Sequence, residues 1–214
     1  AEEGLGRRVV TGAAWNMAGV VTLRAGGLLV GIVAARLLAP EDFGVYAVSI
    51  VVLTLIGQVA ELGLHSALLR ASKDDFDTVA PTALTLALVS YTILGVALLI
   101  LARPVASIFG APDAAPAMRV LAVCVFLGAP ACIPAAQLRR DFRMAVQSVI
   151  EMVAFVVSTA VLVTLAVGGH GAMSLAWSRV VGQIIVVVAL QLVVSKRYLP
   201  GFQRSQALDI IRIG

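Results

Sequence analysis

The chain has 214 residues, of which 60% are hydrophobic and 13% are charged, and its mean hydropathy is +1.01. A soluble domain carries roughly 25% charged residues, so this composition excludes a water-facing globular fold. The formal net charge of +4 does not indicate nucleic-acid binding, because the basic residues are scattered at the ends of apolar segments instead of forming one stripe.

Six apolar segments are each long enough to cross a bilayer, which takes about 20 mostly apolar residues. Helices are predicted because a spanning segment must pair its own backbone polar groups and no strand-like alternation is present. The first segment is too long for the apolar region of a signal peptide. The predicted spans are residues 11–36, 44–68, 80–102, 117–137, 146–168 and 172–195. We therefore predict an all-α membrane protein, a six-transmembrane-helix bundle.

The first two predicted spans contain charged residues and paired glycines. Arg24 lies near the middle of the first span, Asn16 lies nearer its start, and Glu61 lies near the end of the second. A central arginine costs about 2.5–3.5 kcal/mol on insertion scales, so its side chain should face the bundle interior or water. Gly27 and Gly31 are four residues apart, which predicts close packing of the first helix against another helix.

Prolines mark the ends of most spans and the interior of the fourth. Pro130 and Pro134 lie inside the fourth span, where each removes a backbone hydrogen bond and predicts a bend, either a static kink or a hinge. The remaining prolines are expected at span ends, where interrupting a helix is cheap; they include Pro40, Pro81, Pro104, Pro116 and Pro200.

The fifth and sixth spans each contain one charged residue, Glu151 towards the start of the fifth and Arg179 two turns into the sixth. Two interpretations are open. The arginines bind an anionic group in a polar cavity, or they are structural. In the structural case Arg24 pairs with Glu61 or Glu151 or extends to the interface, which Arg179 could also reach. The candidate cavity residues are Arg24, Arg179, Glu61, Glu151 and Asn16, and the accompanying polar residues are Gln58, Gln183 and Gln191.

The loops are asymmetric in their basic residues. Leaving out Arg24, Arg179 and Arg212, ten lie at the N-terminus, the second and fourth loops and the C-terminal segment, against three at the alternate connections. The positive-inside rule then places both chain ends in the cytoplasm, which agrees with an even number of spans.

No pattern of catalytic, nucleotide-binding or metal-binding residues stands out. His65 and His170 are expected at or near span ends on opposite sides of the membrane, and Cys124 and Cys132 have no histidine near them. The carboxylates outside the spans, which include Glu41, Asp42 and Asp74, are expected to be solvated or to cap helices. We therefore expect no cofactor, no metal and no enzymatic reaction.

Five segments resemble, in order, the N-terminal half of the polysaccharide and oligosaccharide flippases, including O-antigen flippases. This family belongs to the multidrug/oligosaccharidyl-lipid/polysaccharide exporter superfamily. The segments are ARLLAPEDFGVYA at 35–47, ELGLHSALLR at 61–70, LRRDFRMAVQS at 138–148, GGHGAMSLAWSRVVGQ at 168–183 and QALDIIRIG at 206–214.

The resemblance implies one six-helix lobe, residues 1–198, of a two-lobe transporter, followed by a cytoplasmic amphipathic linker, residues 199–214, that leads to a second lobe absent from this sequence. It implies alternating access by the two lobes and a substrate of oligosaccharide or polysaccharide units on a polyprenyl diphosphate, used to build cell-surface polysaccharides such as lipopolysaccharide or exopolysaccharide. Arg24 is the residue expected to meet the diphosphate. The implied partners are the bilayer, the lipid-linked substrate, a polysaccharide polymerase and glycosyltransferases, in the bacterial cytoplasmic membrane.

Three alternatives are kept beside this interpretation. A drug or cation exporter of the same superfamily would have acidic cavity residues, which a central Arg24 opposes. A membrane enzyme such as a lipid-linked sugar transferase would need clustered Asp or His at a membrane face. A single lobe could also be a membrane scaffold that does not transport.

Overall fold

A computed structural model of the chain describes residues 25–61, 73–141, 143–194 and 198–201. Within these ranges it contains six α-helices, one short 3-10 helix at Pro112–Ala114 and no strand, which confirms the predicted all-α fold class. The helices are α1 Ala25–Leu37, α2 Pro40–Glu61, α3 Lys73–Ile108, α4 Ala115–Arg140, α5 Met144–Val167 and α6 Ala172–Val193. Helices α2 to α6 are long and apolar enough to cross a membrane, and α1 is a shorter apolar helix.

The helices are arranged around small buried residues and present large apolar side chains outward. The buried surface of α3 follows a helical period and is mostly alanine, and it packs against α4. Small residues allow backbones to approach closely, which drives helix packing in lipid. The outward side chains suit an acyl environment; the most exposed in the helices are Leu28, Ile100, Ile108, Val167 and Leu192. These features identify a multi-pass membrane protein.

Helix α4 is at the centre of the packing, in contact with α2, α3, α5 and α6, while α5 packs mainly on α6. Helices α5 and α6 are antiparallel and joined by a turn in which Gly169 and Gly171 have positive φ angles of 78° and 53°. Near this turn α1 packs on α5, where Ala34, Leu38, Leu162 and Ala166 form a small buried cluster.

Asp42 joins the α1–α2 connection to the start of α6. Its Oδ1 accepts a hydrogen bond from the backbone N–H of Ala172 at 2.8 Å, and its Oδ2 accepts one from Ala39 at 3.1 Å. A Cβ on Gly171 would lie 2.6 Å from Asp42 Oδ1, so glycine is required there both for space and for its φ angle. Two of the motifs noted in the sequence therefore meet in space, and the start of α6 is fixed relative to α2.

Helix α4 continues through both of its prolines. Because Pro134 has no N–H, the carbonyl of Pro130 lacks its usual helical partner. The amide of Gln191 on α6 donates to that carbonyl at 2.9 Å. A backbone group freed inside the membrane is thus paired by a neighbouring helix, as the apolar environment demands. The bend at these prolines stays a prediction.

Pro81 and Pro104 do not end a helix, because α3 continues through both; Pro81 lies at the start of the apolar span Val79–Ile108 and Pro104 lies in its last turns. The apolar window that hydropathy detects is shorter than the helix, which extends into more polar residues at its start. A proline near either end costs few helical hydrogen bonds, and the hydroxyl of Ser107 donates to the Pro104 carbonyl at 2.7 Å. Pro40 and Pro116 do lie in first turns, as expected.

After α6 the chain returns to α3. We call residues 198–201 the strap. The N–H of Gly201 donates to the carbonyl of Pro81 at 3.2 Å, and the hydroxyl of Thr85 donates to the carbonyl of Gly201 at 2.8 Å. Tyr198 also packs against the main core. The strap therefore holds the chain against α3 at the point where the predicted linker begins; residues 202–214 of that linker lie outside the described residues.

The expected packing role of Gly27 and Gly31 is not seen within the described structure. A Cβ on either would meet nothing within 4 Å. Gly26 makes the close contact instead, since a Cβ there would lie 2.9 Å from the ring of Phe155 on α5. A four-residue spacing identifies a small face of a helix, but the rotation of the helix decides whether that face meets a neighbour.

Candidate functional site: a polar cleft around Arg179

Polar side chains line a hollow between α5 and α6, which we call the side hollow. The α5 residues that line it are three or four positions apart in the sequence, so they lie on one face of that helix. The cavity volume is about 440 Å³, within the range of ligand sites. The lining residues are Tyr46 from α2, Glu151, Ala154, Phe155 and Ser158 from α5, and Ser178, Arg179, Gly182, Gln183 and Val186 from α6.

A second hollow, the central hollow, lies between α2, α3, α4 and α6, with a volume of about 490 Å³. Its α2 wall also occupies one helical face. The lining residues are Tyr46, Ile50, Leu53, Thr54, Gly57 and Gln58 from α2, Tyr91 from α3, Cys124, Val125 and Gly128 from α4, and Arg179 and Gln183 from α6. Tyr46, Arg179 and Gln183 line both hollows, so the two are parts of one cleft that meet at Arg179.

Arg179 is a charged group inside a membrane helix without a protein counter-charge in the described structure. It lies seven residues after the start of α6, about 10 Å into the span. No carboxylate or hydrogen-bond acceptor among the described residues pairs with its guanidinium. A cation at such depth needs water, a partner or a ligand. The arrangement can therefore attract an anionic group into the cleft.

Two amide side chains share this lack of partners. Of the glutamines within the described helices, Gln147 bonds to Glu151, Gln191 bonds to the Pro130 carbonyl, and Gln137 also has a partner. Gln58 and Gln183 have none among the described residues, and both line the central hollow. The unpaired amides in the described part of the membrane region therefore gather in the same cleft as the unpaired guanidinium.

Glu151 lies at the opposite end of the side hollow from Arg179. Counted along the antiparallel helices from the turn that joins them, their backbone positions are offset by about 13 Å along the helix axes. Glu151 Oε1 instead accepts a hydrogen bond from Gln147 at 2.9 Å. The side hollow thus has a cation at one end and a carboxylate at the other.

The structure brings two of the five sequence-predicted cavity residues, Arg179 and Glu151, to the same hollow. Arg24 and Asn16 lie outside the described residues, and so does the side chain of Glu61, the last residue of α2. Their roles, and the pairing of Arg24 with either glutamate, stay predictions.

The sequence interpretation missed Tyr46, Tyr91 and Ser158 as lining residues. Tyr46 follows the PEDFG segment and lies on the ridge of i+4 steps that leads through Ile50 and Thr54 to Gln58, and that spacing is a signal that could have found it. Tyr91 lines the cleft because Gly128 on the facing helix leaves room for its ring. No pattern within α3 indicates this contact.

The sequence profile of a family described as "Polysaccharide biosynthesis protein" matches residues 33–214, most of the chain. The chain belongs to this polysaccharide biosynthesis family. Its membership in a polysaccharide biosynthesis and flippase family, expected from the five segments, is thereby confirmed.

One curated relative of this polysaccharide biosynthesis protein is the succinoglycan biosynthesis transport protein ExoT of Rhizobium meliloti (strain 1021). The two are 30% identical over 185 residues, which cover 84% of this chain and 37% of the relative. The chain therefore spans little more than a third of the relative's length. No solved structure matches the chain.

Proposed function

We propose that this chain is one lobe of a transporter that moves polyprenyl-diphosphate-linked oligosaccharide or polysaccharide units across the cytoplasmic membrane for the synthesis of cell-surface polysaccharide. The single observation that carries the proposal is the guanidinium of Arg179, which has no partner among the described residues and lies where the two hollows of the cleft meet. A diphosphate is the part of such a substrate that most needs a cation. Membership in a polysaccharide biosynthesis family and likeness to a transport protein support the substrate class.

The cleft provides for each chemical part of this substrate. Arg179 binds the diphosphate by charge-assisted hydrogen bonds, which are stronger than neutral ones and stronger still away from bulk water. The neutral polar groups around it bind the saccharide, and the polyprenyl tail stays among the exposed apolar side chains at the lipid boundary. No step breaks a covalent bond, so the chain binds and releases its substrate unchanged.

Movement across the membrane requires that the cleft open to one side at a time. We propose that residues 1–198 rock as a unit against a second lobe that follows residues 199–214. The chain spans about a third of its relative, so the moving partner belongs to the part of the longer protein that this sequence does not include. Both chain ends lie in the cytoplasm, as the ten-to-three distribution of basic residues favours.

The same proposal places the protein beside enzymes that make and use its substrate. Glycosyltransferases would build the saccharide on its carrier at the cytoplasmic face, and a polymerase would receive it on the other face. These enzymes and the transporter would share a substrate, and the proposal requires no direct contact between the proteins.

The test replaces Arg179 in the full-length protein by Gln and by Lys, and measures surface polysaccharide in cells that lack the native gene. Loss of a charge-assisted hydrogen bond costs about 1.5–3 kcal/mol, so Arg179→Gln is expected to lower transport about tenfold to a hundredfold at equal abundance. Arg179→Lys, which keeps the charge without the planar fork, is expected to fall in between. Arg119→Gln, on the exposed side of α4 and outside the cleft, is the control.

Normal polysaccharide from Arg179→Gln at normal abundance would contradict the proposal. Arg24 is examined in the same way, with Arg24→Ala and Arg24→Lys, and wild-type polysaccharide from both variants would remove it from the site.

A specific observation favours one alternative, the exporter of cationic compounds. Glu151 is a carboxylate inside a membrane helix and it lines the side hollow, as a site for a cation would require. The two functions differ in which charge matters. A cation exporter loses activity with Glu151→Gln and keeps it with Arg179→Gln, whereas the lipid-linked saccharide transporter gives the reverse order.

A further inference from the structure

The two ends of the central hollow are lined by different polar side chains, Arg179 at one end and Gln58 at the other. Counted from the level at which Asp42 holds the start of α6 to α2, Tyr46 lies about 6 Å deep, Arg179 about 10 Å and Gln58 about 24 Å. Tyr91 on α3 also belongs to the deep end, because its ring lies against Gly128, about 21 Å along α4 from the point where Ala114 contacts Ser49 of α2. The hollow therefore extends about 14 Å along the bundle axis beyond the cation.

Gln58 sets the chemistry of the deep end. Its side chain is exposed in the hollow and has no hydrogen-bond partner among the described residues. An amide both donates and accepts hydrogen bonds, as a sugar hydroxyl does, and it does so without charge. An unpaired amide at membrane depth is costly, and a ligand with several hydroxyls would pair it.

The side hollow is the poorer place for a saccharide next to a diphosphate. Glu151 at its far end carries a negative charge, and like charges repel more strongly away from bulk water. Among the described residues that line the central hollow there is no carboxylate. Tyr46 and Tyr91 lie towards its opposite ends. A tyrosine ring has a flat apolar surface on which a sugar can pack and a hydroxyl that can form a hydrogen bond.

Resting on the proposed function, we infer that the central hollow is the saccharide subsite and that Gln58 is a specificity-determining residue for the glycosylated carrier. The diphosphate lies at Arg179, and the first sugars extend from there along the α2 face towards Gln58 and Tyr91. The side hollow then binds no sugar. The saccharide occupies only the central hollow, and the diphosphate lies at Arg179, where the two hollows meet.

The test compares two ligands with the full-length protein in nanodiscs. One is a polyprenyl diphosphate, and the other is the same carrier bearing a short oligosaccharide. Gln58→Leu keeps much of the side-chain volume and removes the amide. It is expected to weaken binding of the glycosylated carrier about tenfold, the effect of leaving sugar hydroxyls unpaired, and to leave binding of the bare carrier unchanged. Val59→Leu, on the adjacent exposed position outside the hollow, is the control and is expected to change neither.

The outcomes separate the two proposals. If Gln58→Leu binds both ligands as the wild type does, or loses both equally, the saccharide subsite is refuted while the proposed function stands. If the wild type binds neither ligand, the proposed function fails and the subsite fails with it. Arg179→Gln is expected to weaken both ligands, which distinguishes binding of the diphosphate from binding of the sugar.

Discussion

Small residues determine how much room the polar side chains of the cleft have. A Cβ on Gly128 would overlap the ring of Tyr91, and a Cβ on Gly182 would lie 3.3 Å from that of Ser158. The first glycine lets the tyrosine ring lie against α4 at the wall of the central hollow. The second lets α5 and α6 approach closely at the level of the side hollow. Both hollows therefore depend on the small size of glycine at positions 128 and 182.

Gly128→Ala is predicted to lower the free energy of unfolding by about 1–3 kcal/mol, the usual cost of overpacking, because the added methyl group meets the Tyr91 ring. Gly57→Ala is the matched control, since it lines the same hollow but its Cβ would meet nothing within 4 Å. That variant should be neutral or gain up to about 1 kcal/mol from helix propensity. Unfolding of the purified protein in detergent by heat measures both. Equal stability of the two variants would show that the tyrosine ring does not rest on Gly128.

Sequence reasoning at this scale found Arg179 and Glu151, because a charge inside an apolar span is visible without a structure. It could not place Gln58 in the same hollow as Arg179, since the side that α2 turns towards that hollow depends on the rotation of α2 about its own axis. The same rotation explains why Gly26 and not Gly27 contacts α5. Hydropathy gives the length and order of helices but leaves their facing sides open wherever lipid and core are equally apolar.

At the scale of the helices, two hydrogen bonds fix the position of α6, one to α2 and one to α4. Packing in lipid alone would not determine this position. The Asp42 carboxylate binds the first N–H of α6, and the Gln191 amide binds the carbonyl that Pro134 frees in α4. Each satisfies a backbone group that has no partner within its own helix. Helix α6 is thus fixed to α2 at one end and to α4 towards the other, which sets the position of Arg179 between them.

Gln191→Leu is predicted to destabilise the protein by about 1–3 kcal/mol, because the Pro130 carbonyl is left unpaired. Pro134→Ala returns an N–H to α4 that can bind the same carbonyl. In the double variant the cost of Gln191→Leu should therefore largely disappear, and a double-mutant cycle on unfolding free energies measures this coupling. Additive effects of the two substitutions would mean that the amide does not serve the carbonyl freed by the proline.

Asp42→Ala is predicted to cost about 0.5–2 kcal/mol, the range for loss of a helix cap, and to loosen the start of α6. Hydrogen exchange of the Ala172 amide should rise, because its acceptor is lost. Glu41→Ala, the preceding exposed carboxylate, which accepts no hydrogen bond in the described structure, is the control. Unchanged exchange at Ala172 in Asp42→Ala would contradict the cap.

At the scale of the whole molecule, the two hollows form a region lined by polar side chains within an otherwise apolar bundle. Cys124 lines the central hollow, whereas Cys132, in the same helix, does not. The thiol of Cys124 can therefore report on whether water and ligand reach the hollow, and Cys132 can be removed to keep the signal specific.

In a Cys132→Ser background, a small membrane-impermeant thiol reagent is predicted to modify Cys124 from one face of the membrane at a time. Lipid-linked saccharide should slow the modification, because it occupies the hollow. The control is Cys124→Ser with Cys132 retained, which the ligand should not protect. Modification of Cys124 at equal rates from both faces in sealed vesicles would be inconsistent with alternating access. The labelled fraction is measured by mass spectrometry.

The two hydrogen bonds between the strap and α3 fix the position of Gly201 on the surface of that helix. Gly201 is held by its own N–H and its own carbonyl, so the polypeptide departs from one defined point on the flank of the third helix. Force on residues 202–214 would be transmitted through Gly201 to Pro81. At Pro81 helix α3 lacks one backbone hydrogen bond, because proline has no N–H. While these two hydrogen bonds hold, a displacement of residues 202–214 is therefore transmitted to α3 as well as to α6.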